Sequence, residues 1–449
     1  MEKDKSFLGT KPVGKLLLQL ALPTVAAQLI NMLYNIVDRI YIGHIPGEGA
    51  LALTGVGVCM PLIMVVSAFA ALVGNGGAPR ASIFMGKNDT SKAEQTLGNC
   101  FTMQIIISLI LTVILFLGNR SFLLAFGASA NTIDYAVGYM NIYAVGTIFV
   151  QLTLGMNNFI TAQGFAKTGM LSVLIGAVTN IILDPIFIFA LNMGIQGAAL
   201  ATVIAQFASG LGITLYTLLL RKDLRPHLAD LRWNVSILRE IGSLSLLTCM
   251  QQSVMNFGIL MVQGLVNRFG PVIMAAFAAA VKIDSFAYMP VQDFGNAFST
   301  FVAQNYGARQ YGRIREGIQK AVRLTLVFCL AVSVLVLFWA RPLMLIFVQP
   351  QETATIAAGV TYLRIEGTCY WGIGCLFLLY GLYRAIKRPA MSLILTVISL
   401  GTRVALAYAL AGPVGVRGIW ISIPIGWLLA DGAGLLYYRR HRNTLLSDL

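Results

Sequence analysis

Residues 168–206 read TGMLSVLIGAVTNIILDPIFIFALNMGIQGAALATVIAQ, two apolar stretches separated by a short segment around Asn192. Each stretch approaches the roughly 20 residues that a helix needs to cross the hydrocarbon core of a bilayer. Asp184 is the only charged residue in the two stretches. The segment therefore predicts two consecutive membrane-spanning helices with one acid inside the membrane.

The rest of the chain has the same character. Of its 449 residues 57% are hydrophobic and only 11% are charged, whereas soluble domains are about 25% charged. Twelve apolar runs begin near residues 14, 50, 94, 134, 168, 194, 237, 271, 315, 355, 389 and 415. We expect an all-α polytopic membrane protein with twelve transmembrane helices, and no cleavable signal before the first run.

The positive charges indicate the orientation. The net charge of +14 could suggest a nucleic-acid partner, but 24 of the Lys and Arg residues fall on the side of the N-terminus and only five on the other. The remaining three, Arg39, Lys282 and Arg403, lie within spans. By the positive-inside rule both termini are expected in the cytoplasm. The excess of basic residues is then explained by the orientation of the chain in the lipid bilayer, and no nucleic-acid partner is expected.

The two halves of the chain repeat with a shift of 221 residues. The matching positions are Gly74-Asn75 with Gly295-Asn296, Gly86 with Gly307, Lys167 with Arg388, Gly194 with Gly415, and Gly197 with Gly418. We expect a six-helix lobe over residues 1–220, a cytoplasmic linker over 221–240 and a second six-helix lobe over 241–449. An even number of spans gives both lobes the same orientation, as in transporters built from parallel repeats.

Neither enzymatic chemistry nor a metal site is expected. The cysteines (Cys59, Cys100, Cys249, Cys329, Cys369, Cys375) occur singly, and the histidines (His44, His227, His441) fall in loops or the tail. No group has metal-ligand or catalytic-triad spacing. The chain is predicted to be neither an enzyme nor a carrier of a cofactor or metal.

The first span carries a polar stripe. Asn31, Tyr34, Asn35 and Asp38 are spaced i, i+3, i+4 and i+7, which places them on one helix face. Such a stripe must face the helix bundle or a water-filled path. Arg39 lies on another face near the outer end and is expected to reach the membrane surface.

Spans five and six carry a second polar group. Asn180 and Asp184 are one helical turn apart, as are Thr202 and Gln206. Pro185 lacks an N–H, so one carbonyl of the preceding turn loses its helical donor. An acid beside free carbonyl oxygens suits a cation or a proton.

The depths of these groups can be compared at a rise of about 1.5 Å per residue. Asp184 and Thr202 each lie about 10 Å from the outer end of their spans, and Asp38 about 6 Å. We expect Asp38 and Asp184 to share a site in which the two carboxyls do not both ionise. Two unrelated acids capped by backbone donors are the alternative.

The second half carries a different set of charges. Lys282 and Asp284 occur in span eight, Glu366 in span ten and Arg403 in span eleven. Lys282, Glu366 and Arg403 fall at similar depth in the membrane. Mutual neutralisation in a polar network is favoured over substrate binding.

Three stretches resemble the multidrug and toxic compound extrusion (MATE) transporters, in particular their bacterial DinF-like branch. They are the block from Gly155 to Gln206, LPTVAAQLINMLYNIVDRIYIG in span one and FGNAFSTFVAQNYGAR in span eight. The resemblance implies two six-helix lobes arranged in a V, with small organic molecules as the transported substrates. It implies export of cationic or amphipathic compounds against proton or sodium flow, by a monomer in the bacterial cytoplasmic membrane.

The resemblance also implies roles for individual residues. Asp38, Asn180, Asp184 and Thr202 match the family's N-lobe ion site, Tyr34 and Asn157 match polar pocket residues, and Pro23 matches a proline at which span one bends. Together with the polar stripe, this predicts substrate contacts by Asn31, Tyr34, Asn35, Asn157 and Gln206. Where other branches have an acid in span seven, this chain has Gln251 and Gln252.

Two other transport functions remain open. A lipid-linked precursor flippase would need a strongly cationic central cavity, whereas the first lobe here is acidic. A metabolite transporter that does not act in efflux is the other alternative. A sugar facilitator is disfavoured because GNGGAPRASIFMGKND lacks the glycine, acid and base signature expected between spans two and three.

Overall fold

The computed structural model describes residues 11–215 and 230–445. Their secondary structure is helical, with short connections. The helices are α1 Val13–Gly43, α2 Gly49–Gly86, α3 Thr90–Ala125, α4 Ile133–Val145, α5 Thr147–Ala162, α6 Ala166–Pro185, α7 Gly194–Leu215, α8 Val235–Asn267, α9 Pro271–Gly307, α10 Tyr311–Leu345, α11 Thr353–Gly367, α12 Tyr370–Ala385, α13 Pro389–Ala411 and α14 Val416–Leu445.

The predicted spans are confirmed. Within the described residues ten helices are long and apolar enough to cross a membrane, and two bent helix pairs bring the number to twelve. The bent pairs are α4 with α5, at 58°, and α11 with α12, at 52°. They form the fourth and the tenth span, which are equivalent positions in the two halves. The chain is thus an all-α multi-pass membrane protein.

Matching glycines of the repeat make matching close approaches between helices. A Cβ on Gly74 of α2 would lie 3.2 Å from the carbonyl oxygen of Gly155 in α5. A Cβ on Gly295 of α9 would lie 2.8 Å from the carbonyl oxygen of Phe377 in α12. Small residues let helix backbones approach closely in membranes. Each half therefore packs its second span against its fourth in the same way.

Backbone conformation repeats as well. Asn88, after α2, has a φ of 58°, and Arg309, after α9, has a φ of 56°. Positive φ is uncommon for residues other than glycine. Gly194, the first residue of the sixth span, and Gly415, directly before the twelfth, have φ values of 56° and 71°. The shift of 221 residues thus relates backbone features as well as residue types.

Contacts divide the chain into two compact units. One comprises Leu22–Ser245, and the other comprises Met1–Ala21 together with Leu246–Leu449. This division differs from the predicted boundaries because the start of α1 packs with the C-terminal residues. Arg313 donates a hydrogen bond to the carbonyl oxygen of Lys11 at 2.8 Å. The division within α1 falls directly before Leu22 and Pro23.

Residues 230–234, in the part of the predicted linker that the structure describes, are hydrogen-bonded to α3. Asn99 Nδ2 donates to the carbonyl oxygens of Asp230 and Arg232, each at 3.3 Å, and Asn99 Oδ1 accepts from the backbone of Asn234 at 3.0 Å. Five of the 24 basic residues counted on the N-terminal side, Lys3, Lys5, Arg221, Lys222 and Arg225, lie outside the described residues, as does His227.

Candidate functional site

Asn180 and Asp184 form the centre of the candidate site on α6. Asn180 Nδ2 donates to Asp184 Oδ1 at 3.3 Å. Asp184 is 0% exposed and Asn180 is 1% exposed. The spacing of four residues places both side chains on one face of the helix, as the sequence predicts.

Pro185 changes the helix directly beside this acid. The α-helix ends at Pro185 and continues as a π-helical turn over Ile186–Ala190. In that turn the Leu191 N–H donates to the carbonyl oxygen of Ile186 at 2.9 Å. Proline lacks the N–H that would continue the regular pattern, and π-helical turns are frequent at functional sites.

Asp38 of α1 lies against Asp184 of α6. Their side chains interact directly, and Asp38 is only 8% exposed. Asp38 Oδ1 and Asp184 Oδ2 have no hydrogen-bond partner among the described residues. Two residues that are 146 positions apart by their numbering thus form one acid pair, with an unused acceptor on each carboxyl.

Thr202 of α7 and Tyr139 of α4 complete this group. Asn180 Nδ2 lies 3.5 Å from Thr202 Oγ1, a contact at the limit of hydrogen bonding. The Tyr139 side chain interacts with Thr202 and lies near Asp38. We define the acid cluster as Asp38, Asn180, Asp184, Thr202 and Tyr139. It gathers carboxyl, amide and hydroxyl groups from α1, α4, α6 and α7.

Tyr139 is absent from the residues that the sequence predicts. It is 4% exposed, and its ring stacks on that of Tyr143 with centroids 6.3 Å apart. The spacing of four between two tyrosines in an apolar span is the signal that could have identified this pair, because it places both phenols on one face.

Tyr34 and Gln206 form a second polar contact within the same unit. Their side chains interact, and Tyr34 also contacts Asn35. Gln206 Oε1 is buried without a hydrogen-bond partner among the described residues. Since Tyr34 precedes Asp38 by one turn of α1, this pair lies beside the acid cluster, toward the N-terminal end of α1.

Other predicted residues lie elsewhere. Asn157 of α5 donates to the carbonyl oxygen of Gly169 at 3.4 Å, and Gly169 lies about 22 Å along α6 from Asp184. Asn35 is exposed and donates to the carbonyl oxygen of Asn31 at 2.7 Å. The hydrogen bonds of Asn157 and Asn35 are thus to backbone carbonyls and do not join these side chains to the acid cluster.

Arg39 extends away from the acid pair. Its side chain is exposed, and Nη2 lies 3.5 Å from the sulfur of Met60 in α2. The charge of Arg39 still acts on the neighbouring carboxyl of Asp38. Arg39 is therefore exposed while Asp38 is buried, and its placement near a membrane surface stays a prediction.

The second unit holds its own buried polar network. Asp284 of α9 accepts a hydrogen bond from the Tyr370 hydroxyl of α12, and it also interacts with Tyr362 of α11. Arg403 of α13 acts on both Asp284 and Glu366. Glu366 is 1% exposed, and its Oε1 has no hydrogen-bond partner within the described chain.

Lys282 departs from the predicted network. Its ammonium lies 5.9 Å from the centroid of the Phe347 ring, and the residue is exposed. Two residues apart on a helix point in nearly opposite directions, so Asp284 faces the network and Lys282 does not. The network therefore contains two acids and one arginine.

Three residues of this unit were missed by the sequence analysis. Tyr362 and Tyr370 belong to the network, and Asp431 of α14 is a further buried acid. For Tyr362 the signal was its spacing of four from Glu366. For Asp431 it was a charged residue inside the apolar run WLLADGAGLL.

Comparison with known proteins agrees with this architecture. The sequence profile of the MatE family matches residues 23–186 and 246–409, one segment in each half. The FAD transporter of Shewanella oneidensis is 24% identical, covering 98% of this chain and 97% of that protein. The multidrug export protein MepA of Staphylococcus haemolyticus is 22% identical, covering 97% and 95%.

Solved structures show the same fold. A transporter of the MOP superfamily from Pyrococcus furiosus superposes with a TM-score of 0.91 at 23% identity, covering 100% of both chains. A MATE structure in a bent conformation gives a TM-score of 0.91 at 24% identity, covering 99% of both chains. The family profile matches most of the chain, in the two halves that the repeat predicts. The protein belongs to the MatE family of multidrug and toxic compound extrusion transporters, and it is a transporter and not an enzyme.

Proposed function

We propose that the chain is a secondary active transporter that exports cationic or amphipathic organic compounds by antiport with protons, sodium being the alternative ion. The observation that carries this proposal is the acid pair. Asp38 and Asp184 belong to different helices, interact directly and each keep one buried oxygen without a partner among the described residues. Ionisable groups inside a membrane are costly and mark ion or substrate paths.

The chemistry of the acid cluster supports coupling by competition. A proton that binds the pair removes a negative charge, and an organic cation is attracted by the same charge. Asn180 donates to Asp184 and so stabilises its ionised form. An ion entering from outside would therefore displace the substrate, and a substrate entering from inside would displace the ion. Antiport follows because the coupling ion and the cationic substrate compete for the same negative charge, so binding of one lowers the affinity for the other.

The donor set favours protons without excluding sodium. Sodium needs several oxygen ligands, and the cluster offers carboxyl, amide and hydroxyl oxygens from Asp38, Asn180, Asp184 and Thr202. The direct interaction of the two carboxyls is the arrangement in which one shared proton is held between two acids. We therefore assign the coupling role to protons first.

The test is uptake of a fluorescent cationic dye into everted membrane vesicles, the direction that corresponds to export from the cell, under separately imposed gradients. A pH gradient alone should drive dye movement, and a sodium gradient at equal pH on both sides should not. Dye movement driven only by sodium would reassign the ion. If neither gradient moves a panel of cationic dyes, the export proposal is wrong.

A second candidate function is export of an anionic metabolite. It is favoured by the relative named FAD transporter. Flavin nucleotide added outside the same everted vesicles distinguishes the two functions. Gradient-driven flavin uptake without dye uptake would favour the metabolite, and a lipid-linked substrate would give no uptake in either assay.

The setting of this function is proposed as well. We place the chain as a monomer in the bacterial cytoplasmic membrane, with both termini in the cytoplasm and Pro23 as a bending point of α1. Pro23 lies inside α1, directly after the point at which contacts divide that helix. Reporter fusions at each terminus test the orientation, and mass measurement in a lipid nanodisc tests the monomer.

A further inference from the structure

The most unusual titratable group outside the acid cluster is Asp431 on α14. It is 6% exposed, and neither Oδ1 nor Oδ2 has a hydrogen-bond partner among the described residues. Two other buried carboxyls accept hydrogen bonds, Asp284 from Tyr370 and Asp184 from Asn180. Asp431 is thus a buried acid without either an ion pair or a hydrogen bond in the described chain.

The groups that face Asp431 are neutral. On α12, Asp431 Oδ2 would lie 3.8 Å from a Cβ built on Gly372, and the Cys375 thiol and Tyr380 phenol also lie close enough to interact. The Tyr380 hydroxyl is already engaged by Thr396 of α13. No positive charge is therefore supplied from α12 at this point.

The basic residues of the other neighbouring helices interact with other acids or lie far from Asp431 along the helix. Arg403, the basic residue of α13, acts on Asp284 and Glu366. On α11, Tyr362 packs edge-on against Trp420 of α14, more than two turns before Asp431, with ring centroids 5.6 Å apart. On α14 itself, Arg417 lies about 21 Å before Asp431 along the helix axis and Arg439 about 12 Å after it.

An ionised carboxylate cannot be sustained in such a place. Removing a carboxylate from water without a compensating partner is so unfavourable that the group takes up a proton instead. A buried polar group without a hydrogen bond also lowers the stability of the fold, so a purely structural role does not explain it. Inside membranes such acids typically belong to proton or ion paths.

We propose that Asp431 is a proton-binding site of the second unit, protonated in this conformation and titrating separately from the Asp38 and Asp184 pair. The two sites lie in different compact units. The second unit can therefore take up and release a proton of its own when water gains access between α12 and α14. Only the use of this proton in transport rests on the proposed function, and the binding site itself does not.

The experiment is infrared spectroscopy of the full-length protein in lipid, which resolves the carbonyl stretch of protonated carboxylic acids. We compare the wild type with Asp431→Asn at neutral pH, and then raise the pH. Asn keeps the shape of the side chain but cannot be ionised. Asp431→Asn should lose the intensity of about one protonated acid at neutral pH, and the wild-type band should titrate away in alkaline buffer.

Two comparisons make the assignment specific. Asp134→Asn removes an exposed acid of α4 that pairs with Arg120, and it should leave the band unchanged. The double variant Asp38→Asn with Asp184→Asn should retain the component that Asp431→Asn removes. Equal band intensity in the wild type and Asp431→Asn would overturn the proposal, as would loss of that component in the double variant.

Thermal unfolding supplies a second readout without any substrate. If Asp431 is buried with its proton, wild-type stability should fall in alkaline buffer, because the folded state must then lose that proton or hold a charge. Asp431→Asn and the smaller Asp431→Ser should flatten this fall, and parallel curves for wild type and variants would contradict the proposal. Neither measurement uses dye or a gradient, so failure here is distinguishable from failure of the export function.

Discussion

Replacing Asp184 with Asn tests the coupling mechanism most directly. The substitution keeps the volume of a side chain that is 0% exposed, and it removes one negative charge from the acid cluster. Asn180 Nδ2, which lies 3.3 Å from Asp184 Oδ1, can donate to the new amide oxygen in the same way. Helix packing should therefore be retained while the charge is lost.

The size of the effect follows from the environment of the acid. A cation about 4 Å from a carboxylate gains about 4 kcal/mol at an effective dielectric constant near 20. That energy corresponds to roughly a thousandfold change in binding. Below saturation, gradient-driven efflux of a cationic dye should fall by about 100-fold to 1,000-fold in Asp184→Asn. Asp38→Asn should behave alike, because the two carboxyls interact directly.

The assay is dye movement in everted vesicles under a pH gradient, at equal amounts of inserted protein. Asp134→Asn is the matched control, because it makes the same chemical change in an acid of the same unit whose side chain is 80% exposed. It should transport at the wild-type rate, since exposed ion pairs contribute little. Wild-type rates in both Asp38→Asn and Asp184→Asn would refute the acid pair as the coupling centre.

Three further substitutions test the fold and its local chemistry. Gly295→Ala should lower stability by about 1–3 kcal/mol, because its Cβ would lie 2.8 Å from a carbonyl oxygen of α12; thermal unfolding in detergent should show no such loss for Gly401→Ala, whose Cβ meets nothing within 4 Å, and equal losses would contradict the close approach. Pro185→Ala restores an N–H and should convert the π-helical turn toward α-helix, which shifts Asp184 and reduces dye efflux; unchanged efflux would show that the turn is dispensable. Asp89→Ala should cost about 1 kcal/mol at neutral pH through loss of the N-cap of α3. Desolvation alone would raise the pKa of Asp89, but its hydrogen bonds with Lys92 and the nearby positive charge outweigh that effect and lower the pKa. The contribution should therefore fade as pH falls through this lowered pKa, and a pH-independent loss would exclude the ionised cap.

The local pattern of apolar and small residues was sufficient to predict the membrane-spanning helices and their repeat. Apolar runs of the length of a bilayer specify membrane helices, because every backbone polar group must be satisfied within its own segment there. The repeat was visible because close helix approaches require glycine at the same places in both halves, such as Gly74 and Gly295. The single turn between Asn180 and Asp184 likewise follows from helical periodicity alone.

Only the tertiary structure decided which distant groups meet. The interaction of Asp38 with Asp184, the addition of Tyr139 and the exclusion of Asn157 all depend on how separate helices rotate and slide against one another. Periodicity fixes the face of a helix on which a side chain lies, but it does not fix the partner of that face. The estimated depths predicted that Asp38 and Asp184 lie at a similar level in the membrane. They did not distinguish Tyr139 from other polar residues at that level.

The second unit shows the same limit. The sequence places Lys282 and Asp284 two residues apart, and the packing of α9 turns Asp284 toward Arg403 and Lys282 toward Phe347. The first helix is a further case, because its start groups with residues more than 200 positions away in the chain. The sequence by itself determined the helices, their repeat and the polar face of each one. The tertiary structure alone decided the pairing of those faces, because side-chain contacts between helices depend on packing that no local pattern encodes.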